Sequence, residues 1–170
     1  MTGWHWYAVP CDVPGRLLMM PCPPADPEGS AFASLRGEGV DVVISMLARQ
    51  EAEALGMAAE PVHCAGQGMT FLSHPIPDFG LPDPVVFDRL VADIKKRLLD
   101  GQRVAVHCRA GIGRSGMVAA SVLVALGATA SDAIARCSAA RGVAIPDTAE
   151  QGEFIAFFER RVKRDGRARR

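Results

Sequence analysis

One stretch constrains this chain more than any other: "RVAVHCRAGIGRSGMVAASVLVAL", residues 103–126. A β-branched apolar run ends at Cys108, turns through Gly111, Gly113 and Gly116, and continues into ten largely apolar residues, 117–126. A strand that feeds a glycine-rich turn and then a helix is half of a βαβ unit, and it predicts an α/β domain with a buried, mainly parallel sheet. In such sheets ligands bind where loops leave the carboxyl ends of strands. The loop after Cys108 sits at such an end.

The rest of the chain fits that frame. Residues 16–20, "RLLMM", read as an extended piece within an irregular, proline-rich first thirty residues. A helix is expected from Asp26, with Pro27 at its first position, to the glycines at 37 and 39. "DVVISML" (41–47) is bounded by a glycine and reads as a buried strand, followed by a short helix over 48–57. A turn-rich stretch leads to a strand over 69–76 and a loop, "PDFGLPDP" (77–84). Asp83-Pro84 opens the clearest helix, closed by Gly101, with Phe87, Leu90, Val91, Ile94 and Leu98 along one face. After the strand 103–108, helices are expected over 115–126, 131–141 and 148–163. The expectation is one domain, residues 1–163, with a central sheet of four to five strands flanked by helices, then a basic, solvated tail over 164–170.

Composition removes several function classes. With 170 residues the chain can bury one real core. Lysine plus arginine equals aspartate plus glutamate at 19 each, so no global field favours nucleic acid. The longest apolar stretch is about half a membrane span, and the opening "MTGWHWYAVP" lacks the pattern of a secretory signal. Five cysteines without a C-x-x-C pair suggest neither a disulfide framework nor a zinc site. These features point to a cytoplasmic protein in a reducing compartment.

Two chemistries compete for the loop. Gly111-Ile-Gly-Arg-Ser-Gly116 has the G-x-G-x-x-G spacing of a dinucleotide turn, but such turns belong to the first βα unit, with more strands to follow. Here only helical segments follow. The other reading uses more residues. The backbone amides of Arg109, Ala110, Gly111, Ile112, Gly113 and Arg114 can line a concavity at a helix N-terminus, which suits a tetrahedral dianion. That setting favours the thiolate of Cys108, hence a nucleophile. Arg114 offers two parallel donors to phosphate oxygens. The glycines permit the tight, partly left-handed path.

His107-Cys108-Arg-Ala-Gly111-Ile-Gly-Arg114-Ser115 matches H-C-x-x-G-x-x-R-[S/T] and so resembles the signature of cysteine-based protein tyrosine phosphatases. "PGRL" (14–17), "DVVISML", "HPIPDFGLPD" (74–83) and "AIPDTAEQGEFIAFF" (144–158) extend the likeness over residues 10–162, nearest to small atypical dual-specificity phosphatases. The resemblance implies a protein tyrosine phosphatase-like fold and a two-step hydrolysis through phosphocysteine, with a phosphorylated protein or peptide as substrate and no metal or cofactor.

Two aspartates compete for the general acid. Asp83 precedes Pro84 and a helix and is a natural N-cap, whereas Asp78 has no visible capping role and occupies the position to which the resemblance assigns the acid. Ser115 is expected either to donate to the departing thiolate or to cap the helix, roles that can coexist. By resemblance Gln151 positions water, although Pro146 and Asp147 depart from the usual pattern beside it. His107 is expected to order the loop through hydrogen bonds.

Other readings stay open. The same chemistry could serve a phosphoinositide, an inositol phosphate or an RNA 5′-triphosphate, although Ile112 stands where lipid-directed relatives tend to carry lysine. Sulfur transfer of the rhodanese type uses a similar loop, but with four residues before the basic position rather than five. Non-catalytic phosphopeptide binders lack the nucleophile, the acid or the arginine; here each has a candidate. His63, Cys64 and His74 match no metal-ligand spacing, and Cys11, Cys22, Cys64 and Cys137 read as packing residues. Trp4, Trp6 and Tyr7 are expected to form a packed N-terminal segment.

Overall fold

In the computed structural model, which describes residues 3–168, five strands lie in the order β1-β2-β5-β3-β4. They are β1 (Tyr7–Val9), β2 (Arg16–Met20), β3 (Val42–Ser45), β4 (Thr70–Ser73) and β5 (Arg103–His107). The β2–β5, β5–β3 and β3–β4 pairs are parallel, and only β1 runs antiparallel, on β2 at one edge. The sheet is thus mainly parallel with five strands, as expected. The helices are α1 (Ser30–Gly37), α2 (Arg49–Ala54), α3 (Glu60–Gly66), α4 (Pro84–Leu99), α5 (Arg114–Ala125), α6 (Ala130–Arg141) and α7 (Ala149–Ala168).

Strand alternation splits the core into two layers. Leu17 and Met19 of β2, Val42 and Ile44 of β3, and Val104 and Val106 of β5 face the layer of α4, α5 and α7. Leu18, Met20, Val43 and Ala105 face α1 and α3 on the other side. On α4, Phe87, Leu90, Val91, Ile94 and Leu98 are all buried, each contributing about 2 kcal/mol. Helix α5 is buried from Arg114 to Val124, which is why its sequence shows no polar face. It is the central post of that layer, and β5 leads into it through residues 108–113.

The main departures from expectation are the start of α1, the presence of α3 and the end of α7; β1 also forms within a stretch read as irregular, and α2 and β4 are shorter than expected. Helix α1 starts at Ser30 rather than Asp26, because Gly29 adopts φ 68, a left-handed turn that a helix cannot include. Asp26 still serves the helix: its Oδ1 accepts from the Ser30 amide at 3.0 Å. The stretch expected to be turn-rich contains α3, which is short and carries Pro61 in its first turn, so periodicity has too few turns to show. Helix α7 does not stop at 163 but runs to Ala168, and Arg161 bridges to Asp88 at 2.6 Å while lying over Phe157. Arg169 and Arg170 of the basic tail lie outside the described residues.

The N-terminal aromatics pack as expected. Trp4 and Trp6 meet edge to face and rest on the second core layer, and the Trp4 Nε1–H donates to the Pro21 carbonyl at 3.0 Å. His63 stacks on Phe32.

Candidate active site

Cys108 lies at the carboxyl end of β5, only 2% exposed, on the α5 side of the sheet. The six residues that follow wrap into the first turn of α5, with Gly113 at the N-cap. The hydrogen bonding of this loop is one-sided. The Arg109 carbonyl accepts from the Cys22 amide at 2.9 Å, and Arg141 donates to the carbonyls of Gly111 at 3.2 Å and Ala110 at 3.1 Å. The carbonyls of Ile112 and Gly113 accept from Gly116 and Met117 in α5. Among the described residues, no backbone N–H from Arg109 to Gly113 donates to a protein acceptor. Every carbonyl is tied outward, leaving a nest of unsatisfied donors beside a helix N-terminus, a ready anion site.

Glycine is required at two points. Gly111 has φ 71, and a Cβ there would lie 2.6 Å from the backbone of Met20 and Pro21. At Gly113 a Cβ would lie 2.3 Å from Asp147 Oδ2 and 2.8 Å from Gln151 Oε1. The loop therefore presses directly against β2 and the 144–148 turn.

Arg114, 2% exposed, is the most enclosed cation of the site. Its Nη1 and Nη2 each donate to one oxygen of Glu51 at 2.7 Å, a bidentate pair. Nη1 also donates to the Ile76 carbonyl at 3.0 Å, and Nη2 to Asp78 Oδ1 at 3.1 Å. Burial works to lower the Arg114 pKa, but the hydrogen bond and charge of Glu51, with the nearby Cys108 and Asp78, leave it raised. The same bond holds the Glu51 carboxyl below the usual glutamate value, against its partial burial.

The remaining expected residues gather around this centre. Asp78 is exposed on the loop after β4, and Asp83 caps α4 by accepting from the amides of Val85 and Val86. Gln151 is fully buried in the first turn of α7; its Oε1 accepts from the Asp147 and Thr148 amides, and its Nε2 donates to the Gly80 carbonyl at 3.3 Å. It therefore links the 144–148 turn to the Asp78 loop. Ser115 makes no capping bond: its Oγ, in the first turn of α5, is buried without a partner. His107 is buried on the opposite face of the sheet, its Nδ1 3.1 Å from the Cys108 carbonyl oxygen.

Sequence reasoning missed Glu51, Glu60 and Arg141. Glu51 and Glu60 lie in short segments without a motif, and Arg141 is a cation in the last turn of its helix. No spacing links any of them to the loop; only the fold brings them there. Arg141 is further held by Tyr7 of β1, whose ring lies 4.3 Å from its guanidinium carbon.

Known proteins resemble the chain in sequence and in fold. Cyclin-dependent kinase inhibitor 3 from Sus scrofa is 33% identical over 87 residues, covering 50% of this chain and 41% of the relative. The Rattus norvegicus protein of that name is 31% identical over 93 residues, or 54% and 44%. The chain thus matches less than half the length of these relatives. Kinase associated phosphatase, solved with its catalytic-site cysteine replaced by serine, superposes with a TM-score of 0.86 at 20% identity, covering 96% of this chain and 98% of that one. Tk-PTP in a mutant form gives 0.75 at 27% identity, with 92% and 97% covered. PTPMT1 in complex with PI(5)P gives 0.78 at 20%, with 96% and 99% covered. The family model described as "Polymorphic toxin system, DSP-PTPase phosphatase" matches residues 23–128, more than half of the chain, and the chain belongs to that family of the protein tyrosine phosphatase superfamily.

Proposed function

We propose that this protein is a cysteine-dependent phosphatase that hydrolyses phosphotyrosine, with or without phosphoserine and phosphothreonine, through a phosphocysteine intermediate. One observation carries the reading: the loop over Cys108 has its carbonyls tied outward and its amides free, with Arg114 at the helix terminus.

A phosphate seated in that nest has its equatorial oxygens on the amides of 109–113 and the guanidinium of Arg114, where charge spreads as the ester bond breaks. The Cys108 sulfur attacks phosphorus in line from the floor. Asp78, on the loop above, protonates the leaving oxygen, and the phosphocysteine forms. Water then attacks phosphorus, Asp78 takes its proton, and the thiolate departs. The partnerless Ser115 hydroxyl has a hydrogen bond to give that thiolate. Gln151, already joined to the Asp78 loop at Gly80, orients the water once that bond opens.

A second reading keeps this chemistry on a substrate with an additional anionic group. It is favoured by Arg109, which is exposed at the rim and forms no ion pair among the described residues. PTPMT1 was solved with PI(5)P, which makes that class the natural comparison. The decisive experiment is hydrolysis of an aryl phosphate in EDTA by wild type and Cys108→Ser. Wild type turns over and forms a phosphoenzyme on Cys108 that rapid quenching traps; the variant loses on the order of 10⁴-fold or more. Undiminished turnover by Cys108→Ser removes the mechanism. A panel of phosphopeptides, inositol phosphates and lipids then separates the two substrate classes.

A further inference from the structure

The buried pair behind the sheet is outside the mechanism given above. In β5 the side chains alternate, so Cys108 faces α5 while His107, its neighbour, faces the layer of α1 and α3. There the first residue of α3, Glu60, meets it: Glu60 Oε1 and His107 Nε2 are hydrogen-bonded, with side-chain exposures of 2% and 0%. A carboxyl buried to that degree needs a reason, since an isolated one costs several kcal/mol.

The hydrogen bonds supply it. The Cys108 carbonyl can only accept, so its 3.1 Å contact with His107 Nδ1 requires a proton on Nδ1. A neutral imidazole with Nδ1–H has a bare lone pair on Nε2. The Nε2···Oε1 contact therefore holds one further proton, shared between imidazole and carboxyl. Without a partner for Nε2 the ring is free to take the other tautomer, which would turn a lone pair on the Cys108 carbonyl. Cys108 is the first residue of the loop whose carbonyls are all tied outward. Releasing its carbonyl frees the peptide plane that aims the Arg109 amide, the first donor of the nest.

We propose that Glu60 is a positioning residue for the phosphate loop: through His107 Nδ1–H it fixes the Cys108 carbonyl, and with it the inward aim of the Arg109 amide where the anion nest begins. The inference rests on the phosphatase reading for its effect on turnover, but its effect on oxyanion binding stands apart from it.

The test compares Glu60→Leu with Glu60→Gln, reading inorganic phosphate affinity by calorimetry and kcat and KM for an aryl phosphate. A glutamine amide N–H can donate to Nε2 and preserve the Nδ1–H tautomer, so Glu60→Gln should stay within about threefold of wild type in all three. Glu60→Leu should weaken phosphate binding and lower kcat about tenfold or more, a loss that rescue by glutamine separates from simple damage to packing. Wild-type phosphate binding in Glu60→Leu overturns the proposal, as does Glu60→Gln being as impaired as Glu60→Leu. If Glu60→Leu does not fold, ¹⁵N-edited NMR of the His107 ring decides: a slowly exchanging Nδ1–H in wild type and Glu60→Gln supports the proposal, and a bare Nδ1 in wild type overturns it. Should wild type bind phosphate in a Glu60-dependent way yet hydrolyse no ester, the phosphatase reading falls and this one stands.

Discussion

Arg114 Nη2 donates to Asp78 Oδ1 at 3.1 Å, so the cation that would hold a phosphate and the acid that would protonate its leaving group are bonded to each other. Glu51 and the Ile76 carbonyl engage the other Nη protons. A phosphate that uses the Nη2 donor takes it from Asp78, and in doing so it releases the carboxyl toward the ester. Asp78→Ala removes that competitor. Phosphate or tungstate should bind the variant at least as tightly as wild type, by about threefold or more, while kcat falls by about 10²–10⁴-fold, the usual value of a general acid. Calorimetry and steady-state kinetics on one preparation check both arms; weakened oxyanion binding would contradict the competition.

Glu51 supplies a pH prediction. Its carboxyl is held below the usual value, chiefly by the hydrogen bond from Arg114, so it contributes stability that is complete above the ordinary glutamate value of 4.5 and is lost as pH falls through the lower folded value. Glu51→Gln lacks that linkage. Its Tm should lie below that of wild type at pH 7, with a cost of about 2 kcal/mol for a charged hydrogen bond, and the gap should narrow in acid below pH 4.5. Thermal melts from pH 7 to 3 would read this directly.

The backbone of the loop can be tested by paired alanines. Gly111→Ala brings a Cβ to 2.6 Å from Met20 and Pro21 at a residue with φ 71. Gly127→Ala has φ 112 but nothing within 4 Å. Both carry the conformational cost of about 1–2 kcal/mol, and only the first adds a clash and distorts the anion nest. Phosphate binding should collapse in Gly111→Ala and remain unchanged in Gly127→Ala.

Thiol labelling should be selective. Burial pushes the Cys22, Cys64 and Cys137 thiols up to about 12 and raises Cys11 as well. A raised thiol pKa leaves the protonated, unreactive form at neutral pH. Brief treatment with iodoacetate at pH 6.5 should give one adduct, on Cys108, and inorganic phosphate should protect it. Mass spectrometry of the digest identifies the site. Adducts spread over the other four cysteines would contradict the picture.

Much of the architecture was legible in the sequence, because its signals are local and strong. The β-branched runs at 41–47 and 103–108 mark central strands, and the apolar spacing of Phe87, Leu90, Val91, Ile94 and Leu98 marks α4, with Asp83 as its cap. Where the signal is weak the reading slipped. Helix α3 is too short to show a period, and a left-handed glycine moved the start of α1. The end of α7 is polar, yet pairing of Arg161 with Asp88 and its stacking on Phe157 help hold it helical past 163.

The sequence by itself determined the centre of the site, because Cys108, the loop glycines and Arg114 are contiguous and their geometry follows from one strand turning into one helix. Only the tertiary structure decided which charged groups brace them from across the fold. Glu51 is 63 residues from Arg114 and Glu60 is 47 from His107, and pairings at that separation are set by which helix packs on which face of the sheet. Arg141 reaches the loop carbonyls because α6 packs beside α5 and β1. Backbone propensity acts over a few residues and so writes itself into the sequence; a side chain's partner across the fold is fixed by packing, and no local pattern records it.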